Sequence, residues 1–328
     1  MFFINPFKGL RPTKENASSV TIASTDHLSE DMKNDLLKKN PWSYLNVFNA
    51  EDKKKSKKQF ELMKEESIIK KDKNLSFYLY KISKDNFSQV GIVGTAKLSA
   101  YDNLHIRGHE EIFFERSQKR MEQMDNLNAQ IGPIYAVYPD NKKLNDLVNN
   151  ELHKPSIYSF EGMDKSKHEM WLVDEETKVS KICDLFNTIN RIYIADGHHR
   201  MDALLKLSKI KQHQNSNHTG KEAYNYFMIA IFPTSQARIL DYNRLIKDLY
   251  GYSHNDFIKE IKKKFKVEKQ NSSYKPKKSQ VFGMYLEKQW YSLELKEKPH
   301  QNLFHIINLD INLLHYYLLE PTLGIGDP

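Results

Sequence analysis

An α+β fold with a mixed β-sheet and flanking helices is what this sequence predicts, and three observations carry it. Strand-like runs alternate with helical stretches along most of the chain. Neighbouring strand-like runs joined by short turns mark hairpins, which disfavours a purely parallel, doubly wound sheet. Tyr226–Phe232 is a continuous apolar run ended by Pro233, the pattern of a fully buried strand. At 328 residues there is room for more than one domain. We divide the chain into an N-terminal α/β segment (1–88), a core (89–232) and a C-terminal α+β segment (233–328).

Taken in order, residues 1–20 are expected to be extended. They include Phe7-Lys8-Gly9-Leu10-Arg11-Pro12, where two cations flank a glycine and Phe7 and Leu10 are expected to pack. Ser29 is expected to cap a helix that ends before Pro41. Trp42–Phe48 reads as a buried strand, and residues 51–71 as a charged amphipathic helix. Phe77–Tyr80 and Val90–Leu98 are strands. Ile106-Arg107-Gly108-His109-Glu110-Glu111-Ile112 is expected to open a long polar helix running towards Met124. A strand within Gly132–Pro139, a helix over Lys142–Leu152, a strand over His168–Val173 and a helix over Glu176–Asn187 follow, with the segment before Lys167 unassigned. Gln212–Gly220 is a polar loop whose His213 and His218 are expected to be exposed. Residues 254–266 form a basic helix, 267–279 a polar linker, Val281–Leu286 and Trp290–Leu295 a hairpin, and Leu309–Leu319 a last amphipathic helix.

Composition narrows the function. Hydrophobic residues at 39% with 12% aromatics fit a folded globular protein. No apolar run approaches the roughly 18 residues of a membrane span, and the start is too short for a signal peptide's apolar region. Cys183, the single cysteine, excludes an internal disulfide and a multi-cysteine zinc site, so a cytoplasmic, reducing compartment is expected. The net charge of +8 fits an anionic ligand or nucleic acid. The lysine runs at 53–58 and 262–264 sit in helix-like stretches without interleaved aromatics, which argues for solvated faces and against a strand-stacking surface.

The chemistry concentrates in Arg191-Ile192-Tyr193-Ile194-Ala195-Asp196-Gly197-His198-His199-Arg200. Tyr193–Ala195 is β-prone, while Met201, Leu204 and Leu205 recur at helical spacing, so strand, tight turn and helix are expected in succession. Gly197 would let backbone approach a ligand, and the amides of a helix start make an anion site. His198, His199 and Arg200 would add donors, and Asp196 one carboxylate. A surface Asp-Gly loop is the plainer alternative. Gly108 ahead of a second expected helix start would place His109 and Glu110 at a comparable entrance. There is no G-x-x-x-x-G-K-[ST], no G-x-G-x-x-G after a strand and no H-E-x-x-H. If the two entrances converge, Asp196 and Glu110 supply two carboxylates beside an anion cradle, the parts that phosphoryl transfer needs.

These residues resemble a known superfamily. Ala195-Asp196-Gly197-His198-His199-Arg200 after an apolar strand resembles one signature of the free-serine kinases of the ParB/sulfiredoxin-like superfamily. His109-Glu110-Glu111-Ile112 resembles the second. Further landmarks of one branch, which includes pyrophosphate-dependent serine kinases, occur in order, among them Asn40-Pro41, Gly132-Pro133-Ile134, His168–Trp171, Tyr224-Asn225-Tyr226, Tyr242-Asn243-Arg244 and Leu323-Gly324-Ile325. The resemblance implies a ParB/sulfiredoxin-like catalytic core and transfer of a phosphoryl group from pyrophosphate to free L-serine, giving O-phospho-L-serine, with Mg²⁺. It implies Glu110 as base, Asp196 as a catalytic or metal-linked carboxylate, and Gly197, His198, His199 and Arg200 on the phosphates, with His199 also taking part in catalysis. Asn243, Arg244 and His109 would contact substrate. Its expected partners are small molecules, not nucleic acid or membrane. Here Ser24-Thr25 precede Asp26 where many relatives have Pro-Tyr, and Ile112 stands where a threonine often follows the His-Glu pair. Relatives also continue past Gly324-Ile325, so a further C-terminal stretch is expected. An ADP- or ATP-dependent serine kinase is the near alternative. A ParB-like DNA-binding regulator is the more distant one, for which a helix-turn-helix with a clustered basic face is not evident.

Overall fold

The computed structural model describes residues 3–21, 29–48, 52–109, 112–162, 164–239, 241, 243–297 and 308–326. The chain divides into two compact units, Met1–Ile239 and Leu240–Pro328. Its class is α+β, with a mixed sheet and flanking helices.

The strands of the first unit are β1 (Ile4–Asn5), β2 (Leu10–Pro12), β3 (Ile69–Lys71), β4 (Phe77–Lys84), β5 (Phe87–Lys97), β6 (Ile106–Arg107), β7 (Ile134–Tyr138), β8 (Tyr158–Glu161), β9 (Lys167–Val173), β10 (Ile192–Asp196) and β11 (Tyr226–Pro233). Nine of them form one sheet in the order β6-β10-β7-β11-β5-β4-β9-β8, with β1 added to β5. Two pairings, β6 with β10 and β7 with β11, are parallel; the others are antiparallel. Strand β5 joins the segments on either side of position 88, since it pairs with β1 and β4 along one edge and β11 along the other. Its glycines serve close packing: a Cβ at Gly91 would meet the Phe232 ring at 2.5 Å.

Alternation along β7 and β10 turns Ile134, Ala136, Ile192 and Ile194 into the core. There they join Phe77, Leu79, Ile92, Phe227, Ile229 and Ile231 from the sheet and Met124, Leu144, Ile182, Phe186 and Met201 from helices. The helices Lys142–Leu152 and Glu176–Asn187 form over the expected residues. Ser29 caps Glu30–Lys39, its side chain accepting from the Met32 amide at 3.2 Å.

Four local expectations are corrected. Trp42–Phe48 is no strand: Leu45–Phe48 is helical. The Asn40 side chain accepts from the Trp42 amide, Ser43 Oγ accepts from the Leu45 amide, and Asn46 bonds back to the Asn40 carbonyl, so side chains hold the backbone in turns. The helix expected to reach Lys71 runs only over Lys53–Glu65. Ser67 takes a left-handed φ of 58°, and β3 then pairs with β2. The residues expected to open a helix do not: Ile106–Arg107 is strand β6, and among the described residues the helix runs over Phe114–Leu127. The parallel pairing of Ile106 with Ile192 overrides the local pattern there. The basic helix stops at Ile261, because fully buried Phe265 opens a strand of the second unit.

The second unit holds a three-stranded antiparallel sheet, β12 (Phe265–Gln270), β13 (Val281–Leu286) and β14 (Gln289–Leu295), in the order β12-β14-β13. The helix His254–Ile261 and a run of helical turns from Asp310 to Leu323 bury Phe257, Ile261, Leu313, Leu318 and Leu323 with Phe265 and Leu293. Among the described residues, no helix is long and apolar enough to cross a membrane.

Candidate functional site

The strand, turn and helix expected at the centre of the sequence form as β10, Gly197 and the helix His198–Gln214. A β-bulge interrupts the ladder between Ile194 and Asp196: Ile194 faces Ala136, whereas Asp196 faces Tyr135. One extra residue, Ala195, therefore re-aims the end of the strand. Gly197 follows with φ 102° and ψ 22°, a backbone region that side chains disfavour. It is the N-cap and carries no capping side chain, and the helix start presents the positive end of the helix dipole.

Arg200 ties this start to its surroundings. Its Nη2 donates to Asp196 Oδ2 at 2.7 Å, and its Nη1 donates to the Pro133 carbonyl. A Cβ at Gly132, whose φ is 75°, would lie 3.0 Å from that Nη1. A guanidinium has five N–H donors, so others remain for an anion. The Asp196 side chain is 73% exposed.

His109 and Phe113, which follow β6 in the chain, reach the two histidines. His198, 3% exposed, accepts the His109 amide on Nε2 at 3.2 Å, and the two rings meet edge to face at 4.6 Å. Gly108 permits this approach, because a Cβ there would lie 3.0 Å from His198 Cδ2. His199 accepts the Phe113 amide on Nε2 at 3.1 Å. The helices Phe114–Leu127 and His198–Gln214 then pack together. They are bound by Asp202, which accepts from Ser117 Oγ and pairs with Lys206 at 2.6 Å. Burial pushes the Asp202 carboxyl up, but the bonds from Lys206 and Ser117 outweigh it and hold the carboxyl below its usual range.

Expected residues His109, Asp196, Gly197, His198, His199 and Arg200 thus come together. Glu110, the expected base, lies outside the described residues, as does Tyr242. Asn243 and Arg244 belong to the second unit, in a stretch without regular structure. Residues that the sequence did not single out are Phe113, Ser117, Asp202 and Lys206. The spacing of Asp202 between His198 and Lys206, four residues from each, was the available signal. Another is Tyr44: its hydroxyl is buried with no hydrogen-bond partner among the described residues. Burial pushes its pKa up, while Arg120 and Arg200 oppose the shift.

The N-terminal motif has a structural explanation. Arg11 makes two 2.8 Å bonds to Asp72 and donates to the Tyr158 hydroxyl at 2.6 Å. Tyr78 donates to Asp72 at 2.7 Å and accepts the Gly9 amide. Phe7 packs on Tyr78, but Leu10, expected to pack, is 40% exposed. His218 bonds to the Tyr224 hydroxyl at 2.8 Å and to Glu222 at 3.1 Å, an arrangement internal to its loop.

Among the described residues, no three of His, Cys, Asp and Glu cluster as a ready-made metal site. The Asp196 carboxylate nevertheless suits Mg²⁺, which is commonly held by one or two carboxylates together with substrate phosphate oxygens and water.

Over residues 4–312 the chain matches the model of a family described as Protein of unknown function (DUF1015). No curated protein and no solved structure matches it.

Proposed function

The chain belongs to the DUF1015 family, and from that premise we propose that it transfers a phosphoryl group from pyrophosphate to free L-serine. The products are O-phospho-L-serine and phosphate. The observation that carries this reading is the 3.2 Å bond from the His109 amide to His198 Nε2, because it joins the two kinase-like signatures at one helix start. On this reading residues 89–232 are a ParB/sulfiredoxin-like catalytic core working in the cytoplasm. Its substrates are the small molecules L-serine and pyrophosphate, and neither nucleic acid nor membrane is a partner.

The helix start, His198, His199 and Arg200 hold the donor's oxygens, and Gly197 lets them approach the backbone. Glu110, next in the chain to His109, takes the proton of the serine hydroxyl. The hydroxyl oxygen bonds to the near phosphorus, and the bridging P–O bond breaks to release phosphate. Asp196 would hold Mg²⁺, which when bound would supply charge neutralisation for the donor oxygens. His199 belongs to the catalytic set, and His109 contacts serine.

Incubation with L-serine, Mg²⁺ and one donor at a time, with phosphoserine as readout, tests the reading. Product from pyrophosphate supports it. Product only from ADP or ATP transfers it to a nucleotide-dependent serine kinase, and no product from any donor overturns it.

A further inference from the structure

We propose that Phe113 is a positioning residue that fixes the tautomer of His199, so that His199 presents Nδ1–H, and not Nε2–H, to its ligand. The Phe113 amide donates to His199 Nε2 at 3.1 Å. A ring nitrogen that accepts an N–H carries no proton, so neutral His199 holds its proton on Nδ1. The side chain of the same residue holds the ring plane. The Phe113 and His199 rings stack with centroids 5.6 Å apart and an interplanar angle of 5°. The Arg116 guanidinium lies 5.2 Å from the Phe113 ring centroid, so cation, phenyl ring and imidazole make contact in series.

The amide is placed by the helix it caps. Phe113 is the N-cap of the Phe114–Leu127 helix, and that helix is fastened to the His198–Gln214 helix through Ser117, Asp202 and Lys206. Amide donation to an imidazole Nε2 occurs twice in this short segment, from His109 to His198 and from Phe113 to His199. These two amides therefore set which edge of each imidazole accepts. That His199's ligand is a phosphate rests on the serine-kinase reading; the tautomer does not.

The backbone of Phe113, at φ −79° and ψ 116°, is one that proline can adopt. Phe113→Pro thus removes the amide donor, whereas Phe113→Ala removes only the ring. Long-range ¹H–¹⁵N correlation spectra of the ¹⁵N-histidine-labelled full chain, with His199 assigned by His199→Gln, read the tautomer directly. The expected result is Nδ1–H in the native protein and in Phe113→Ala, and a shift to Nε2–H in Phe113→Pro. Nε2–H at His199 in the native protein would overturn the proposal, as would an Nδ1–H signal that persists in folded Phe113→Pro. Should the proline variant not fold, the native and Phe113→Ala spectra decide.

Kinetics with pyrophosphate form a second arm. Phe113→Pro should raise KM for pyrophosphate about tenfold with a smaller change in kcat, and Phe113→Tyr should restore both. A native enzyme without phosphotransfer would sink the kinase reading and leave the spectra to decide the tautomer.

Discussion

The His109 amide donates to His198 Nε2 across 89 positions of sequence, and the donor's own ring packs edge-on against the acceptor's at 4.6 Å. Parallel pairing of β6 with β10, Ile106 opposite Ile192, brings both segments to the same end of the sheet. The missing side chain at Gly108 then lets them touch.

Gly108→Ala should therefore disturb the site more than the fold. The new Cβ would stand 3.0 Å from His198 Cδ2 and 3.1 Å from the Tyr101 hydroxyl, so the imidazole must give by a few tenths of an ångström. We expect a stability loss of about 1 kcal/mol and roughly a tenfold fall in phosphoserine formation. Urea unfolding and initial rates, measured together, separate the two effects; unchanged rates would mean the contact has no functional role.

On the proposed serine-kinase reading, Glu110→Gln should lower turnover by roughly 10²–10⁴, the usual contribution of a positioned base. Donor affinity, followed by calorimetry with pyrophosphate, should stay within about twofold. A variant that turns over like the native protein would remove Glu110 from the proposed role of base.

Asp202→Asn tests the fastening between the two site helices through its pH dependence. The native carboxyl is held below its ordinary value of 3.8 by Lys206 and Ser117, against the opposing effect of burial. A depressed native pKa means stability that is present above the unfolded value and lost as pH falls through the native one. At pH 7 the variant should lose about 1–2 kcal/mol, or about 2–6 °C in Tm. That gap should narrow below about pH 4. Thermal scans at pH 7 and pH 3 check this, and a gap of equal size at both would contradict it.

Arg11→Ala should cost stability and spare activity. It strips two bonds from Asp72, whose side chain is 14% exposed, and one from Tyr158. Stripping that carboxylate of its cation, with the Tyr78 hydroxyl still donating to it, should cost about 2–3 kcal/mol. A lower urea midpoint with an unchanged kcat is the expected pair of results. Lost activity at native stability would instead make the Phe7–Pro12 motif part of the site.

Much of the architecture was determined by sequence alone wherever a short window carried both the apolar period and the punctuation. The apolar run ending at Asp196, the glycine at 197 and the stripe of Met201, Leu204 and Leu205 specify strand, left-handed turn and helix locally. So do the helices Lys142–Leu152 and Glu176–Asn187 and the β13–β14 hairpin. Only tertiary structure decided the rest. Trp42–Phe48 looks like a strand until Asn40, Ser43 and Asn46 are seen bonding to backbone. Ile106–Arg107 looks like the start of a helix until β10 lies beside it. Phe113 could not be read as a partner of His199, because nothing within a few residues of either encodes an amide arriving from 86 positions away. Periodicity records which face of an element is apolar; which distant backbone group meets a given imidazole is set by sheet pairing and helix packing.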